Sequence, residues 1–113
     1  MRMWMVDPRI MCRKHLLGEH VEAHMFFGCI TRNKNLSGYI NNNLLEIQSL
    51  FFRHIELSQE MEDRHYNHKS VMNLGAYLDH YKNYENVKID KERSLADLLS
   101  RCPECRKRKE ELE

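Results

Sequence analysis

Residues 15–24, HLLGEHVEAH, place imidazole and carboxylate side chains at helical spacing. Each residue of an ideal helix turns by about 100°, so His15, Glu19 and Glu22 fall on one face, while His20 and His24 fall on the other side. An imidazole and two carboxylates on one face are typical of a proton-transfer site. An exposed polar stripe containing a His–Glu pair is the structural alternative, and the residues alone do not decide between the two.

The three histidines of this stretch do not predict a metal site. One straight helix cannot direct His15, His20 and His24 toward a common ion, because the first lies on a different face from the other two. His20 and His24 have the i, i+4 spacing that zinc proteins use, but the glutamate that follows the first histidine in HExxH is absent. No metal ligand is therefore assigned to this stretch.

Four cysteines raise a second metal hypothesis. Cys102 and Cys105 have the CxxC spacing of zinc ligands, but a structural site needs two more ligands and the chain has no second CxxC. Cys12 and Cys29 contribute only if the fold brings them close to that pair. Plain thiols beside a basic segment are the favoured interpretation, and we expect no cofactor. A small zinc-stabilised protein that uses the CxxC pair and histidines remains an alternative.

The residues that carry this chemistry lie on predicted helices. Asp7 and Pro8 combine a capping acid with proline at the first helical position. They predict a helix that extends to the early 30s and bends near Gly18 or Gly28. Residues 33–43, which include three consecutive asparagines, indicate a loop.

Two further helices are predicted in the rest of the chain. Apolar residues at three- and four-residue steps predict a long amphipathic helix over residues 44–65. Residues 66–90 have no clean period and are predicted to be irregular. Asp90 or Ser94 is expected to cap a third helix, which Pro103 interrupts. The predicted buried side of the third helix is Leu95, Leu98 and Leu99.

Length and composition complete the expected architecture. A chain of 113 residues suits one domain, residues 1–113, and neither a strand pattern nor an internal repeat is present. The sequence therefore predicts an all-α fold, a compact single domain of about three main helices. An apolar run of about 18 residues is absent, so we expect no membrane span. The start MRMWMV lacks a signal-peptide core, and a cytoplasmic protein with reduced cysteines is expected.

The net charge of +1 says little about partners, but the distribution of charge is uneven. Basic residues gather in the first 34 residues and again over residues 101–109, whereas acids concentrate between residues 46 and 63 and at the end of the chain. Two basic poles on a nearly neutral chain fit a face that contacts phosphates. A solvated surface of mixed charge is the alternative.

The order of several residues resembles a known enzyme family, the pyrimidine-dimer DNA glycosylases and AP lyases of the bacteriophage endonuclease V type. The similarity is nearly free of gaps over residues 1–32, returns at 53–70 in RHIELSQEMEDRHYNHKS, and is looser over 88–109. Residues 71–87 do not match. The residues of the first stretch that carry the resemblance are Arg2, His15, Leu16, Glu19, Glu22, Phe27 and Gly28.

The resemblance implies an enzyme that excises the 5′ base of a cyclobutane pyrimidine dimer and then nicks the DNA. In the family the α-amine of the chain attacks C1′, forms a Schiff base and breaks the strand by β-elimination. The corresponding catalytic residues here are Met1, as the amine, and Glu22, which moves protons at the sugar. A peptide α-amine is roughly 14% neutral at pH 7 against about 0.04% for lysine, which suits imine formation. Methionine is normally trimmed only before a small residue, so the large Arg2 predicts that Met1 is retained.

The resemblance also implies a partner, double-stranded DNA that contains pyrimidine dimers or abasic sites. Arg2 and His15 match positions beside the damaged backbone. Arg32, Arg93 and Arg101 match basic positions that face DNA. The expected protein acts on this DNA as a monomer.

Two departures from the family bear on DNA binding. Val21 and Met25 stand where the family has arginines on the catalytic helix. We expect Arg13 to substitute for the lost DNA contacts, with His20 or His24 as alternatives. A non-catalytic nucleic-acid-binding domain on the same scaffold is the rival hypothesis from another functional class.

Overall fold

The computed structural model describes residues 1–67 and 87–113. Within these ranges it contains five α-helices, two short 3-10 turns and no strand, which confirms the predicted all-α fold. The 3-10 turns are Pro8–Ile10 and Ile47–Ser49. The helices are α1 (Arg13–Thr31), α2 (Ser37–Asn41), α3 (Leu50–Asp63), α4 (Lys91–Arg101) and α5 (Pro103–Leu112). None of these described helices is long and apolar enough to cross a membrane.

The first long helix begins later than the sequence predicts. Asp7 caps only the first 3-10 turn, where its carboxylate accepts a hydrogen bond from the backbone N–H of Arg9 at 3.0 Å. The N-cap of α1 is Cys12, whose sulfur accepts from the backbone N–H of His15 at 3.5 Å. From there α1 runs without interruption through both of its glycines to Thr31.

Two other boundaries differ from prediction, one of the two predicted caps of α4 is observed, and Pro103 has a second role. The predicted loop 33–43 contains the single-turn helix α2, and the predicted helix 44–65 is reduced to the second 3-10 turn and α3. Asp90 rather than Ser94 caps α4, accepting from the backbone N–H of Arg93 at 3.1 Å. Pro103 starts α5 instead of only ending the helix before it, because proline at a first helical position forfeits no hydrogen bond. Most of the interval 66–90 lies outside the described residues.

The buried apolar residues form two clusters. The first core cluster joins the N-terminal segment, residues 1–6, to α1, α3 and the chain between them. It consists of Met3, Ala23, Phe26, Ile30, Leu36, Leu45, Ile47, Leu50 and Ile89. The second core cluster joins the same segment to the starts of α1 and α5. It consists of Trp4, Val6, Ile10, Met11, Cys12, Leu16, Leu57, Met61, Leu98, Cys102 and Cys105.

The N-terminal segment contributes to both clusters and is bonded to three distant parts of the chain. The backbone N–H of Met3 donates to Leu44 O at 2.7 Å. The hydroxyl of Ser94 donates to Trp4 O. Arg53 Nη1 donates to the carbonyl of residue 6 at 2.7 Å. An extended segment with no helical hydrogen bonds of its own is thus held along its length by partners from elsewhere.

A buried ion pair links α1 to α3. Arg53 Nη2 donates to Glu19 Oε1 at 2.8 Å, and both side chains are inaccessible to solvent. Burial alone would lower the pKa of Arg53, but its hydrogen bonds and charge interactions with Glu19 and Glu56 raise it instead. The arginine therefore stays charged in the interior, where it satisfies both the carboxylate and the carbonyl of Val6.

Candidate active site

The α-amine of Met1 lies beside the carboxylate of Glu22. The nitrogen is 3.9 Å from Glu22 Oε1, and the two side chains are 17% and 31% exposed. Both side chains are therefore partly buried and partly exposed to solvent. The structure brings together the two residues that the resemblance singles out for catalysis.

Two neighbours in the N-terminal segment fix the amine. The side chain of Met1 packs against the first core cluster, and Met3 is fully buried within it. Met5 has a φ of 56°, a left-handed conformation that costs a non-glycine residue roughly 1–2 kcal/mol. That strain persists because the buried Trp4 and Val6 hold the backbone on either side. The first residue is thus placed by the core rather than left as a loose end.

Arg2 is built into the structure next to the amine. Its guanidinium carbon lies 3.7 Å from the ring centroid of Trp4, and its Nη2 donates to Ser94 Oγ at 3.1 Å. Its Nη1 is 3.9 Å from Asp97 Oδ2. Burial lowers the pKa of Arg2, partly offset by Asp97. Within the two described ranges, its buried Nε has no hydrogen-bond partner.

His15 lies between Trp4 and the cysteines. Its ring makes an edge-on contact with Trp4, with centroids 5.7 Å apart, and its Nδ1 is 3.2 Å from Cys12 Sγ. Burial and the nearby Lys14 lower the pKa of His15, while the charge of Glu22 acts in the opposite direction. The imidazole is thus close enough to Glu22 for the two groups to interact electrostatically.

The expected grouping of Glu19 with His15 and Glu22 is wrong. Glu19 is fully buried and pairs with Arg53, so it takes no part in the exposed site. Helical spacing places a side chain on a face, but it does not reveal that a basic side chain from α3 covers that face. Of the two carboxylates predicted to take part in proton transfer, only that of Glu22 lies in the exposed site.

The other predicted DNA-binding arginines are exposed on separate parts of the surface. Arg13 lies at the start of α1 with its guanidinium carbon 4.6 Å from the ring centroid of Tyr66, and Arg32 lies at the other end of the helix. Their positions are roughly 28 Å apart along the axis of an ideal helix. Arg93 and Arg101 belong to α4, and their charges act on Arg2. These four arginines form a spread basic surface rather than a single pocket.

The two departures from the family lie on the solvent side of α1. Val21 is 56% exposed and Met25 is 49% exposed. They leave apolar surface on the exposed side of the helix that bears Glu22. The structure gives neither residue a role in packing that would explain the change.

The structure groups possible metal-ligating side chains into two clusters, of which the sequence raised only a zinc alternative based on Cys102, Cys105 and histidines. Cys12, His15, Cys102 and Cys105 place their ligand atoms within 4.8 Å of one another. The signal in the sequence is that Cys12-x-x-His15 repeats the spacing of Cys102-x-x-Cys105. Burial raises the pKa of Cys105 to about 12. The pKa of Cys102 is lowered, because hydrogen bonds from Cys105 and its neighbours outweigh the effect of burial.

The second cluster is made of histidines. His20 and His24 of α1 meet His54 of α3, with ligand atoms again within 4.8 Å of one another. His24 Nε2 and His54 Nε2 are 2.9 Å apart, a hydrogen-bond distance at which one ring donates and the other accepts. Helical geometry had already separated His15 from His20 and His24, and the structure places them accordingly in different clusters.

Comparison with known proteins defines the family. The family model described as pyrimidine dimer DNA glycosylase matches residues 1–74, more than half of the chain. The chain belongs to the pyrimidine dimer DNA glycosylase family. It matches no curated protein and no solved structure. Membership implies DNA glycosylase activity in general terms and DNA containing pyrimidine dimers as the class of substrate.

Proposed function

We propose that this protein is a DNA-repair N-glycosylase with β-lyase activity, which acts on cyclobutane pyrimidine dimers or abasic sites through a Schiff base of the Met1 amine. The observation that carries the proposal is the 3.9 Å separation between the Met1 nitrogen and Glu22 Oε1, with both groups accessible. A primary amine next to a carboxylate supplies a nucleophile and a group that can accept and return its protons.

The first step replaces one C1′–N bond by another. The neutral amine nitrogen forms a bond to C1′ while the glycosidic bond breaks, and the electron pair of that bond leaves with the base, which takes up a proton. The attacking nitrogen becomes positively charged, and Glu22, 3.9 Å away, accepts one of its protons. The carboxylate also stabilises positive charge that develops at the sugar.

The second step opens the sugar and breaks the strand. Glu22 returns the proton to O4′ as the C1′–O4′ bond breaks, which leaves a protonated imine between Met1 and C1′. Loss of a C2′ proton then expels the 3′ phosphate by β-elimination. Water finally hydrolyses the imine and releases the amine. On an abasic site the amine instead adds to the C1′ aldehyde of the ring-opened sugar, and the C1′ oxygen leaves as water when the imine forms.

The exposed arginines are proposed to bind the DNA backbone. Arg13, Arg32, Arg93 and Arg101 are spread over the starts and ends of α1 and α4, so they fit several phosphates along a duplex. Arg2 and His15 are mostly buried next to the amine, and we assign them to holding the damaged nucleotide in place. Because C1′ is hidden in a stacked duplex, the substrate nucleotide must leave the stack. This single domain is proposed to act as a monomer.

One observation favours a second function, a non-catalytic DNA-binding module. Val21 and Met25 remove two family arginines from the exposed side of the helix that bears Glu22. A module that has lost catalysis would bind damaged DNA without forming an imine. Covalent trapping separates the two functions, because reduction joins only an imine-forming protein to DNA.

The decisive experiment is borohydride trapping on an end-labelled duplex that contains one abasic site or one thymine dimer. We expect the unmodified protein to form a reduced covalent complex and to cleave the strand. We expect Glu22→Gln to slow cleavage by roughly 10²–10⁴-fold, the usual contribution of a general acid–base group, while DNA affinity changes little. Acetylation of the amine should abolish trapping.

Glu62→Gln is the matched control, because it makes the same change at an exposed glutamate on α3, away from Met1. It should trap and cleave like the unmodified protein. Mass spectrometry of the trapped peptide should locate the adduct on Met1. An adduct on a lysine, or full cleavage by Glu22→Gln, would rule out this mechanism.

A further inference from the structure

We propose that Cys12, His15, Cys102 and Cys105 form a structural zinc site that joins the start of α1 to the start of α5. The inference does not depend on the catalytic mechanism. In the sequence, the CxxC pair lacks the two further ligands that a structural zinc site needs. The fold supplies them as Cys12 and His15, while Cys29 is not a member of the cluster.

Two of three distances between ligand atoms match those around a tetrahedral ion, and the third is shorter. Cys12 Sγ is 3.2 Å from His15 Nδ1 and 3.8 Å from Cys102 Sγ, and Cys105 Sγ is 3.7 Å from His15 Nδ1. A Zn²⁺ ion with bonds of about 2.3 Å to sulfur and about 2.0 Å to nitrogen separates its ligand atoms by roughly 3.5–3.8 Å. Three sulfurs and one nitrogen fill all four positions, which is the pattern of a structural site.

Each sulfur also accepts a backbone hydrogen bond, which stabilises the negative charge of a metal-bound thiolate. Cys12 Sγ accepts from His15 N at 3.5 Å, and Cys102 Sγ accepts from Cys105 N at 3.4 Å. Cys105 Sγ accepts from Cys12 N at 3.2 Å. Cys12 and Cys102 are the N-caps of α1 and α5, so the positive ends of two helices point at the sulfurs.

The surroundings suit the charge of the complex. Three thiolates on a divalent cation carry a net charge of −1. The surface cavity beside His15, Cys12 and Cys102 is lined by two cations, Lys14 and Arg101, and one anion, Glu104. The three cysteines are buried, so solvent has little access to the ion. Coordination through Nδ1 leaves the proton of His15 on Nε2, where it can still donate a hydrogen bond.

The histidine cluster is the competing metal site. It offers three nitrogens rather than four ligands, and the 2.9 Å contact between His24 Nε2 and His54 Nε2 already uses two of them in a hydrogen bond. The three thiols of the first cluster also favour zinc over harder metals. We therefore assign the ion to the cysteine cluster and use His54 as a control.

The test is the zinc content of the full chain, expressed in zinc-supplemented medium and purified without a metal-affinity tag. We expect about one zinc per chain, retained through gel filtration. Cobalt-substituted protein should show the strong visible bands of tetrahedral cobalt and ultraviolet thiolate-to-cobalt charge transfer. Zinc content and strand cleavage are measured separately. A negative result for the zinc site therefore does not decide the proposed glycosylase and lyase function, and the reverse also holds.

Variants locate the ion. Cys105→Ser should lose the zinc, whereas the control Cys29→Ser, which changes a half-buried cysteine outside the cluster, should keep it. His15→Cys should keep the zinc as a four-sulfur site with stronger charge transfer, and this readout does not depend on a variant that fails to fold. Zinc-free native protein, zinc that is lost with His54→Ala but not with Cys105→Ser, or a disulfide between Cys12 and Cys102 would overturn the proposal.

Discussion

Glu19 and Glu22 stand three positions apart on α1 and meet different environments. Glu19 is fully buried and held by Arg53, whereas Glu22 is partly exposed beside the Met1 amine. The turn of about 60° between positions three apart on a helix is enough to separate them. At the scale of single residues, one carboxylate therefore holds α1 against α3 and the other remains available to a substrate.

Replacing Glu19 tests the first of these roles. Glu19→Gln should lower the free energy of unfolding by about 3–5 kcal/mol, because the charge of Arg53 would remain buried without its main partner. Glu56→Gln is the control, since Glu56 also contacts Arg53 but is 55% exposed. It should cost at most about 1 kcal/mol. Urea denaturation measures both, and equal losses would contradict the importance of the buried pair.

At the scale of elements, α4 positions the N-terminal segment through one hydroxyl. Ser94 Oγ accepts from Arg2 Nη2 and donates to Trp4 O, although the two partners lie more than 85 positions away in the sequence. The Asp90 cap leaves Ser94 free for this task in the first turn of α4. The same helix carries Asp97, whose carboxylate faces the guanidinium of Arg2.

Removing this hydroxyl should loosen the segment that carries the amine. Ser94→Ala leaves a buried carbonyl and a buried N–H donor without their partner, so we expect a loss of about 1–3 kcal/mol in unfolding free energy. Ser100→Ala, on the exposed side of α4, should stay within about 0.5 kcal/mol.

Cleavage rates distinguish positioning from general destabilisation in Ser94→Ala. In conditions where the variant is fully folded, we expect slower cleavage because the amine is less well placed, with unchanged binding of undamaged DNA. A folded Ser94→Ala protein that cleaves at the normal rate would show that α4 does not position the amine.

At the scale of the whole molecule, the starts of α1 and α5 lie together, and the exposed arginines are spread over a surface. Residue pairs more than 90 positions apart, such as Cys12 and Cys105, are in hydrogen-bond contact. The net charge of +1 does not reveal that basic residues cluster near both ends of the sequence. Contacts of long sequence separation place these two basic clusters on the same folded domain.

The salt dependence of DNA binding tests the proposed basic surface. Each arginine that neutralises a phosphate adds about 0.9 to the slope of log K against log salt concentration. Arg32→Gln should reduce this slope by about that amount without changing the preference for damaged DNA. Arg9→Gln is the control, because Arg9 is paired with Asp7, with Nη2 2.8 Å from Oδ2. An unchanged slope for Arg32→Gln would remove this residue from the DNA surface.

The sequence supports local predictions better than tertiary ones. Helical spacing correctly separated His15 from His20 and His24. The resemblance pointed to Met1 and Glu22, which the structure places 3.9 Å apart. The sequence could not show that Arg53 covers Glu19, because that contact joins two helices.

The cysteine cluster escaped prediction for the same reason. The pairs Cys12-x-x-His15 and Cys102-x-x-Cys105 are separated by 86 residues, and only the packed fold shows that they meet. Pro103 follows the end of α4 as predicted, but the sequence did not show that it also begins α5, although a proline that ends one helix is equally suited to begin another.

The anchoring of the first residues by α4 also bears on the order of folding. The hydroxyl of Ser94 holds Arg2 and Trp4 across 92 and 90 positions of sequence. Contacts of such separation form only after the chain between them has closed a long loop. The proposed alignment of the Met1 amine with Glu22 therefore depends on the prior docking of α4.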